Sequence, residues 1–190
     1  MKKQKIAILG SGAGTNAENI CLYFKNHPSV EVVFVYTNNE KAGLVNKIKK
    51  LGVSLFSLKN KKEDFSVGLS FLLSEHDVDY IVLAGFLKKI PASFLKKYNQ
   101  KIVNIHPSLL PKYGGKGMYG AHIHSLVIKN GEVESGITIH FVNEEYDAGL
   151  IIFQKKCTVS KNETIKSLSL KIKKLEHAFY PAVLEKIICK

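Results

Sequence analysis

Asn104 and His106 stand two residues apart at the end of an apolar run, in "VNIHPSLLPKYGG" (residues 103–115), with Pro107 and Pro111 close behind them. Side chains at i and i+2 of an extended chain emerge on the same side, so an amide donor and an imidazole can converge on one atom. Pro107 restricts the backbone of His106, and Pro111 stiffens the turn that follows. Taken alone, the pair also fits a capped strand end with a solvated histidine. Asp147, two residues before Gly149, supplies what the pair lacks. A carboxylate beside an imidazole raises its pKa, and a protonated imidazole next to an amide N–H suits the oxyanion of acyl transfer. Local pattern equally allows Asp147 to be a turn former ahead of a glycine.

A second chemical signal is "GSGAGTN" over residues 10–16. Placed between a strand and a helix, such a loop presents backbone N–H groups and a helix N-terminus to an anion. Thr15 and Asn16 are expected to cap the helix and to bind the anion; a tight turn with a good cap is the plainer alternative. Gly12, Gly14 and Ala17 match a dinucleotide fingerprint, but the second strand ends in Thr37, Asn38 and Asn39, with no acid to hold ribose hydroxyls. A phosphate monoester on a small substrate fits at least as well. His122 and His124 form an HxH pair without a third ligand at a metal spacing, so a helix start accounts for them and no metal is expected. His140, between Ile139 and Phe141, either faces the site or is a satisfied interior histidine, and the latter is the expectation.

Short runs rich in Val and Ile must position these groups. "KIAILG" (5–10), "EVVFVYT" (31–37), "VSLFSL" (53–58), "YIVLAG" (80–85) and "KIVNI" (101–105) alternate with helical patterns. That alternation predicts an α/β fold: a Rossmann-like, open, mainly parallel twisted sheet with helices on both faces. Beyond the glycine-rich "GGKGMYG" (114–120), "SGITIHFV" (135–142) and "LIIFQKKCTV" (150–159) predict two antiparallel strands added in the C-terminal part. A last helix is expected to open on a capping box of Ser160 and Glu163. It carries Ile165, Leu168, Ile172, Leu175 and Phe179 at helical spacing, and Pro181 is expected to kink or interrupt it.

With 190 residues, 45% of them hydrophobic and 23% charged, the chain is expected to form a single folded domain over 1–190. Its basic residues are all lysine, 28 against 16 acidic residues, which leaves a formal charge of +12. Without arginine, and with lysines dispersed rather than interleaved with aromatics, a nucleic-acid reader is disfavoured. A non-catalytic nucleotide- or RNA-binding module is the competing class, motivated only by the glycine loop and the charge. Cys21, Cys157 and Cys189 form no CxxC pair, and no apolar run is long enough for a membrane span. The expected setting is cytoplasmic, with no membrane partner.

The ordered motifs "GSGAGTN", "VLAGFLKKI", "NIHPSLLPKY", "SGITIHFVNEEYDAGLII" and "LEHAFYP" resemble the folate-dependent formyltransferase family over nearly the whole chain. The resemblance implies the formyltransferase fold, with a phosphate-binding half over about residues 1–100 and a folate and catalytic half after it. It implies formyl transfer in purine biosynthesis from 10-formyltetrahydrofolate, the co-substrate, to the amine of 5-phosphoribosylglycinamide. Both are small-molecule partners; a metal is not implied, and the expected state is a monomer or weak homodimer. Family members with larger substrates or regulatory modules need an extra domain, for which 190 residues are not expected to leave room.

Carried onto this sequence, the family pattern makes Asn104, His106 and Asp147 catalytic. It places substrate phosphate on Gly14, Thr15 and Asn16, ribose hydroxyls on Glu176, and Lys173 as an aid to the phosphate. Leu87, Lys88, Lys89 and Ile90 form the folate-binding stretch, with Asn104 and the loop from Asn143 to Asp147 at the pterin. Lys62 and Lys88 stand where relatives carry arginine, which predicts less directional folate contacts because lysine lacks the planar fork.

Overall fold

The computed structural model describes residues 2–57 and 64–190. Thirteen elements follow in order: β1 Gln4–Gly10, α1 Thr15–Phe24, β2 Val30–Thr37, α2 Gly43–Leu51, β3 Leu55–Ser57, α3 Phe65–Glu75, β4 Tyr80–Leu83, α4 Ala92–Lys97, β5 Ile102–His106, α5 Ala121–Lys129, β6 Glu134–Phe141, β7 Ile151–Thr158 and α6 Ile165–Ile188. The strands form one seven-stranded sheet in the order β3-β2-β1-β4-β5-β6-β7. Pairs β1–β2, β1–β4 and β2–β3 are parallel, and β6–β7 is antiparallel. The expected mainly parallel α/β architecture with late antiparallel strands is therefore the observed one.

The chain divides into two compact units, one of residues 1–103 with 181–190 and one of residues 104–180. In the first, Ile6, Ala7, Ile8 and Leu9 are all fully buried, as a strand flanked on both sides and covered on both faces requires. β1 pairs with β2 on one side and β4 on the other, so the direction of strand addition reverses across it. Ligands of open α/β sheets sit at the carboxyl ends of the strands beside such a reversal. The loops after β1 and β4 meet there: Ala84 donates its N–H to the Leu9 carbonyl at 2.8 Å, and Ser11 donates to the Gly85 carbonyl at 3.1 Å. At the opposite end, Glu185 accepts from the Tyr23 hydroxyl and from His27 Nε2 (3.1 Å), tying the last turn of α6 to α1.

Helix α6 departs from expectation at both ends. It begins at Ile165, and its cap is Thr164: the Ser167 N–H donates to Thr164 Oγ1 at 3.1 Å while Thr164 N–H donates to Ser167 Oγ at 3.0 Å. The expected box survives only as a Glu163 carboxylate accepting from the Ser160 N–H at 3.3 Å, ahead of the helix. Glu163 also holds Lys171 and the Ser167 hydroxyl, contacts that draw its pKa down to about 2. Pro181 lies inside an unbroken helix. A proline costs a helix interior ~3 kcal/mol, yet Tyr180, Val183, Leu184 and Ile188 are all buried around it, each worth about 1.5–3 kcal/mol. Burial outweighs the missing hydrogen bond. Of the apolar positions at helical spacing, Leu168 and Ile172 are buried in the core, whereas Ile165 is 42% exposed.

Candidate functional site

Strand β5 delivers Asn104 half-buried and His106 only 3% exposed, which overturns the solvated-histidine alternative. Two β6 residues of the same alternation, Thr138 and His140, are buried with them in residues 104–180. The turn after His106 is fastened to this strand by one hydroxyl. Thr138 Oγ1 donates to the Ser108 carbonyl at 2.7 Å and accepts from the Leu110 N–H at 3.0 Å and from Gln154 Nε2 at 2.9 Å. Gln154 Nε2 also donates to the Leu110 carbonyl at 2.9 Å, and Ser108 Oγ to the Lys112 carbonyl at 2.7 Å. Leu110 is buried, so the turn is anchored by apolar contact as well as by hydrogen bonds.

Asp147 arrives from the loop between β6 and β7. Its Oδ2 lies 3.5 Å from His106 Nδ1 and its Oδ1 lies 3.7 Å from His140 Nε2. These separations make the carboxylate an electrostatic neighbour of both rings rather than a hydrogen-bond partner. The Gly115 N–H donates to Oδ2 at 2.9 Å. His106 Nε2 donates to the Tyr113 carbonyl at 2.8 Å, so both nitrogens of that ring face oxygen acceptors. Asp147 and Tyr113 have φ of 55° and 57°, a left-handed backbone that non-glycine residues adopt at a cost and that clusters at functional sites.

Gly149 explains how the loop closes so tightly. A Cβ there would lie 1.8 Å from the Phe141 carbonyl oxygen, so only glycine allows the backbones to approach. The same carbonyl accepts from His140 Nδ1 at 2.9 Å, and His140 Nε2 is 3.1 Å from the Asn104 amide nitrogen. Burial pushes the His140 pKa down, against the opposing pull of the Phe141 hydrogen bond and the Asp147 charge, with His106 adding to the lowering. His140 is thus interior and satisfied and also faces the polar cluster, so both readings of it hold at once; Thr138, which fastens the turn, is the residue the sequence did not single out. The available signal was Thr138 and His140 at i and i+2 in an otherwise apolar strand.

In the first unit the glycine loop differs from expectation in its cap. Gly14 is the N-cap of α1, with φ of 74°, which puts Thr15 and Asn16 inside the first turn of the helix rather than at its cap. A Cβ on Gly14 would lie 2.5 Å from Leu44 Cα, so α2 packs where a larger N-cap would need to be. Ser11 Oγ accepts from the Leu87 N–H at 3.1 Å and donates to Asn38 Oδ1 at 2.6 Å, joining the loop to the expected folate stretch. In that stretch Leu87, Lys88 and Lys89 are exposed, while Ile90 is core at 5% exposure. Asn143 is exposed, and its Oδ1 accepts from the Glu145 N–H at 3.1 Å. Glu176 is half-buried and Lys173 exposed, one turn apart on α6. Lys62 lies outside the described residues. His124 is buried, which pushes its pKa down, and its Nδ1 has no hydrogen-bond partner. Among the described residues, no group of three or more His, Cys, Asp or Glu is placed to hold a metal ion.

A family profile described as formyl transferase matches residues 4–184. The chloroplastic phosphoribosylglycinamide formyltransferase of Arabidopsis thaliana is 36% identical over 191 residues, 96% of this chain and 65% of that protein. The trifunctional purine biosynthetic protein adenosine-3 of Gallus gallus is 38% identical over 188 residues, 96% of this chain and 18% of that protein. The chain thus spans less than two thirds of the length of either relative. It is also similar to the crystal structure of phosphoribosylglycinamide formyltransferase from Anaplasma phagocytophilum, with a TM-score of 0.88 and 35% identity, covering 98% of this chain and 88% of that one.

Proposed function

The chain belongs to the formyl transferase family, and on that premise we propose that it transfers the formyl group of 10-formyltetrahydrofolate to the amine of 5-phosphoribosylglycinamide. The observation that carries this reading is the cluster of buried His106 and His140 with half-buried Asn104 and Asp147, in which N–H donors and one carboxylate converge. Such a set suits direct transfer between two bound substrates. The neutral amine attacks the formyl carbon, a C–N bond forms, and charge collects on the formyl oxygen. Asn104 Nδ2 and His106 donate to that oxygen; removing one donor of this kind costs about 10²–10³ in rate elsewhere. The C–N10 bond then breaks. Asp147, directly or through a water, accepts the proton of the attacking nitrogen and returns it to N10 of the departing tetrahydrofolate.

His106 Nε2 reaches the formyl oxygen only when the Tyr113 carbonyl withdraws, so the 113–117 segment moves with substrate. Gly115 and Gly117, at φ of 105° and 87°, give it the backbone freedom to do so. The start of α1 at Gly14–Asn16 takes a phosphate on its first-turn amides. The stretch from Leu87 to Ile90 meets folate largely through its backbone.

Incubating the purified protein with both substrates is expected to yield formylated glycinamide ribonucleotide and tetrahydrofolate in equal amounts. Absence of transfer by folded protein overturns the reading. Release of formate without formylated amine redirects it to hydrolysis. Asn104→Ala, His106→Ala and Asp147→Asn are each expected to lower kcat by about 10²-fold or more.

A further inference from the structure

We infer that His140 is a positioning residue, which as a neutral ring protonated on Nδ1 orients the Asn104 carboxamide so that its nitrogen, not its oxygen, is offered to the formyl oxygen. The inference rests on the formyl-transfer reading and adds to it a group that touches no reacting atom.

Hydrogen-bond bookkeeping around the ring leaves little freedom. The Phe141 carbonyl can only accept, so His140 Nδ1, 2.9 Å away, carries a proton. A neutral ring then has a lone pair at Nε2, which can only accept. The Asn104 side-chain group 3.1 Å from that lone pair must be the amide nitrogen, the one donor the carboxamide owns. One N–H is spent on His140, and the second is held in the plane of the amide, free to serve as oxyanion donor. A carboxamide without this anchor can turn over and present its oxygen, which repels a developing oxyanion.

The charged and titratable groups that the structure places against His140 are Asp147 from the β6–β7 loop and His106 from β5. They set what happens if the ring gains a second proton. Nε2 then becomes a donor facing the donor of Asn104, and its natural partner is Asp147 Oδ1, 3.7 Å away. That exchange releases the carboxamide and draws Asp147 toward His140. Burial at 2% exposure opposes it, and Gly149 supports the resting arrangement by seating the loop on the Phe141 carbonyl that fixes the tautomer.

A double-mutant cycle separates positioning from general structural damage. His140→Phe removes the acceptor and is expected to lower kcat about 10²-fold, as Asn104→Ala does, with KM for both substrates changed little. Adding His140→Phe to Asn104→Ala is expected to cost nothing further, because the group it positions is gone. His140→Gln, whose side-chain oxygen can accept from Asn104 and does not ionise, is expected to keep kcat within about tenfold of the parent. Should His140→Phe unfold the chain, the glutamine variant and nitrogen NMR of the unmodified protein still decide. The ring is expected as the Nδ1–H tautomer at neutral pH. Additive losses in the cycle, or an Nε2–H ring, overturn the inference. Absence of transfer by the parent protein overturns the reading beneath it and with it the role at the formyl oxygen, whereas the NMR result by itself decides the tautomer that orients Asn104.

Discussion

Replacing Thr138 by valine keeps the volume of a fully buried side chain and removes one hydroxyl that three other groups share. The Ser108 carbonyl and the Leu110 N–H lose a partner outright, while Gln154 keeps its bond to the Leu110 carbonyl. An orphaned buried polar group costs ~1–3 kcal/mol, so two of them, partly relieved by local adjustment, put the expected loss at about 2–4 kcal/mol. That is a large part of the ~5–15 kcal/mol that holds a domain together. Urea unfolding of Thr138→Val beside Thr138→Ser measures it: the serine variant restores the hydroxyl and is expected to recover more than half of the loss. The same hydroxyl fastens the turn after His106, so kcat is expected to fall in the valine variant under conditions where the protein remains folded. A valine variant within ~0.5 kcal/mol of the parent, with unchanged turnover, refutes this account of the turn.

Gly149→Ala forces a methyl into the Phe141 carbonyl, and overpacking of this kind costs ~1–3 kcal/mol or more; a thermal melt that matches the parent contradicts the close approach. His124 and His140 are buried as neutral rings with lowered pKa, so the unfolded chain binds more protons once pH falls below about 6.5. Their contribution is complete above that value and declines as pH drops toward the lowered native pKa. The urea midpoint is therefore expected to decrease on acidification from pH ~7 to ~5.5. His124→Gln is expected to shrink that decrease, and a midpoint that rises instead contradicts the sign. Burial, with Glu18 nearby, pushes the Cys21 thiol up to about 12, so native protein is expected to resist alkylation there while exposed Cys189 reacts. Equal labelling rates for the two would show that Cys21 is not sealed.

Much of the fold was legible because it rests on local periodicity. β-branched runs alternating with helical patterns predict parallel βαβ units, and the strands from Gln4 to His106 follow them. The Asn104 and His106 spacing was equally legible, since an extended backbone alone puts both side chains on one side. Termini of helices were less so. Ser160, Thr164 and Ser167 are all competent caps, and which one starts α6 depends on where the chain leaves β7. Pro181 reads as a break in sequence and is carried through by the burial of its neighbours, which no local window records.

The sequence by itself determined the chemical inventory: an amide, imidazoles and a carboxylate in a chain without arginine, and strands that bring the first two together. Only the tertiary structure decided how they are wired. His140 lies 36 residues from Asn104, Asp147 meets both imidazoles from a loop, and the Tyr113 carbonyl occupies His106 Nε2. The reason is physical. A side chain's position along a strand follows from the backbone repeat, but its tautomer, its orientation and the sign of its pKa shift follow from which donors, acceptors and apolar atoms surround it. Those neighbours are set by packing between segments distant in sequence.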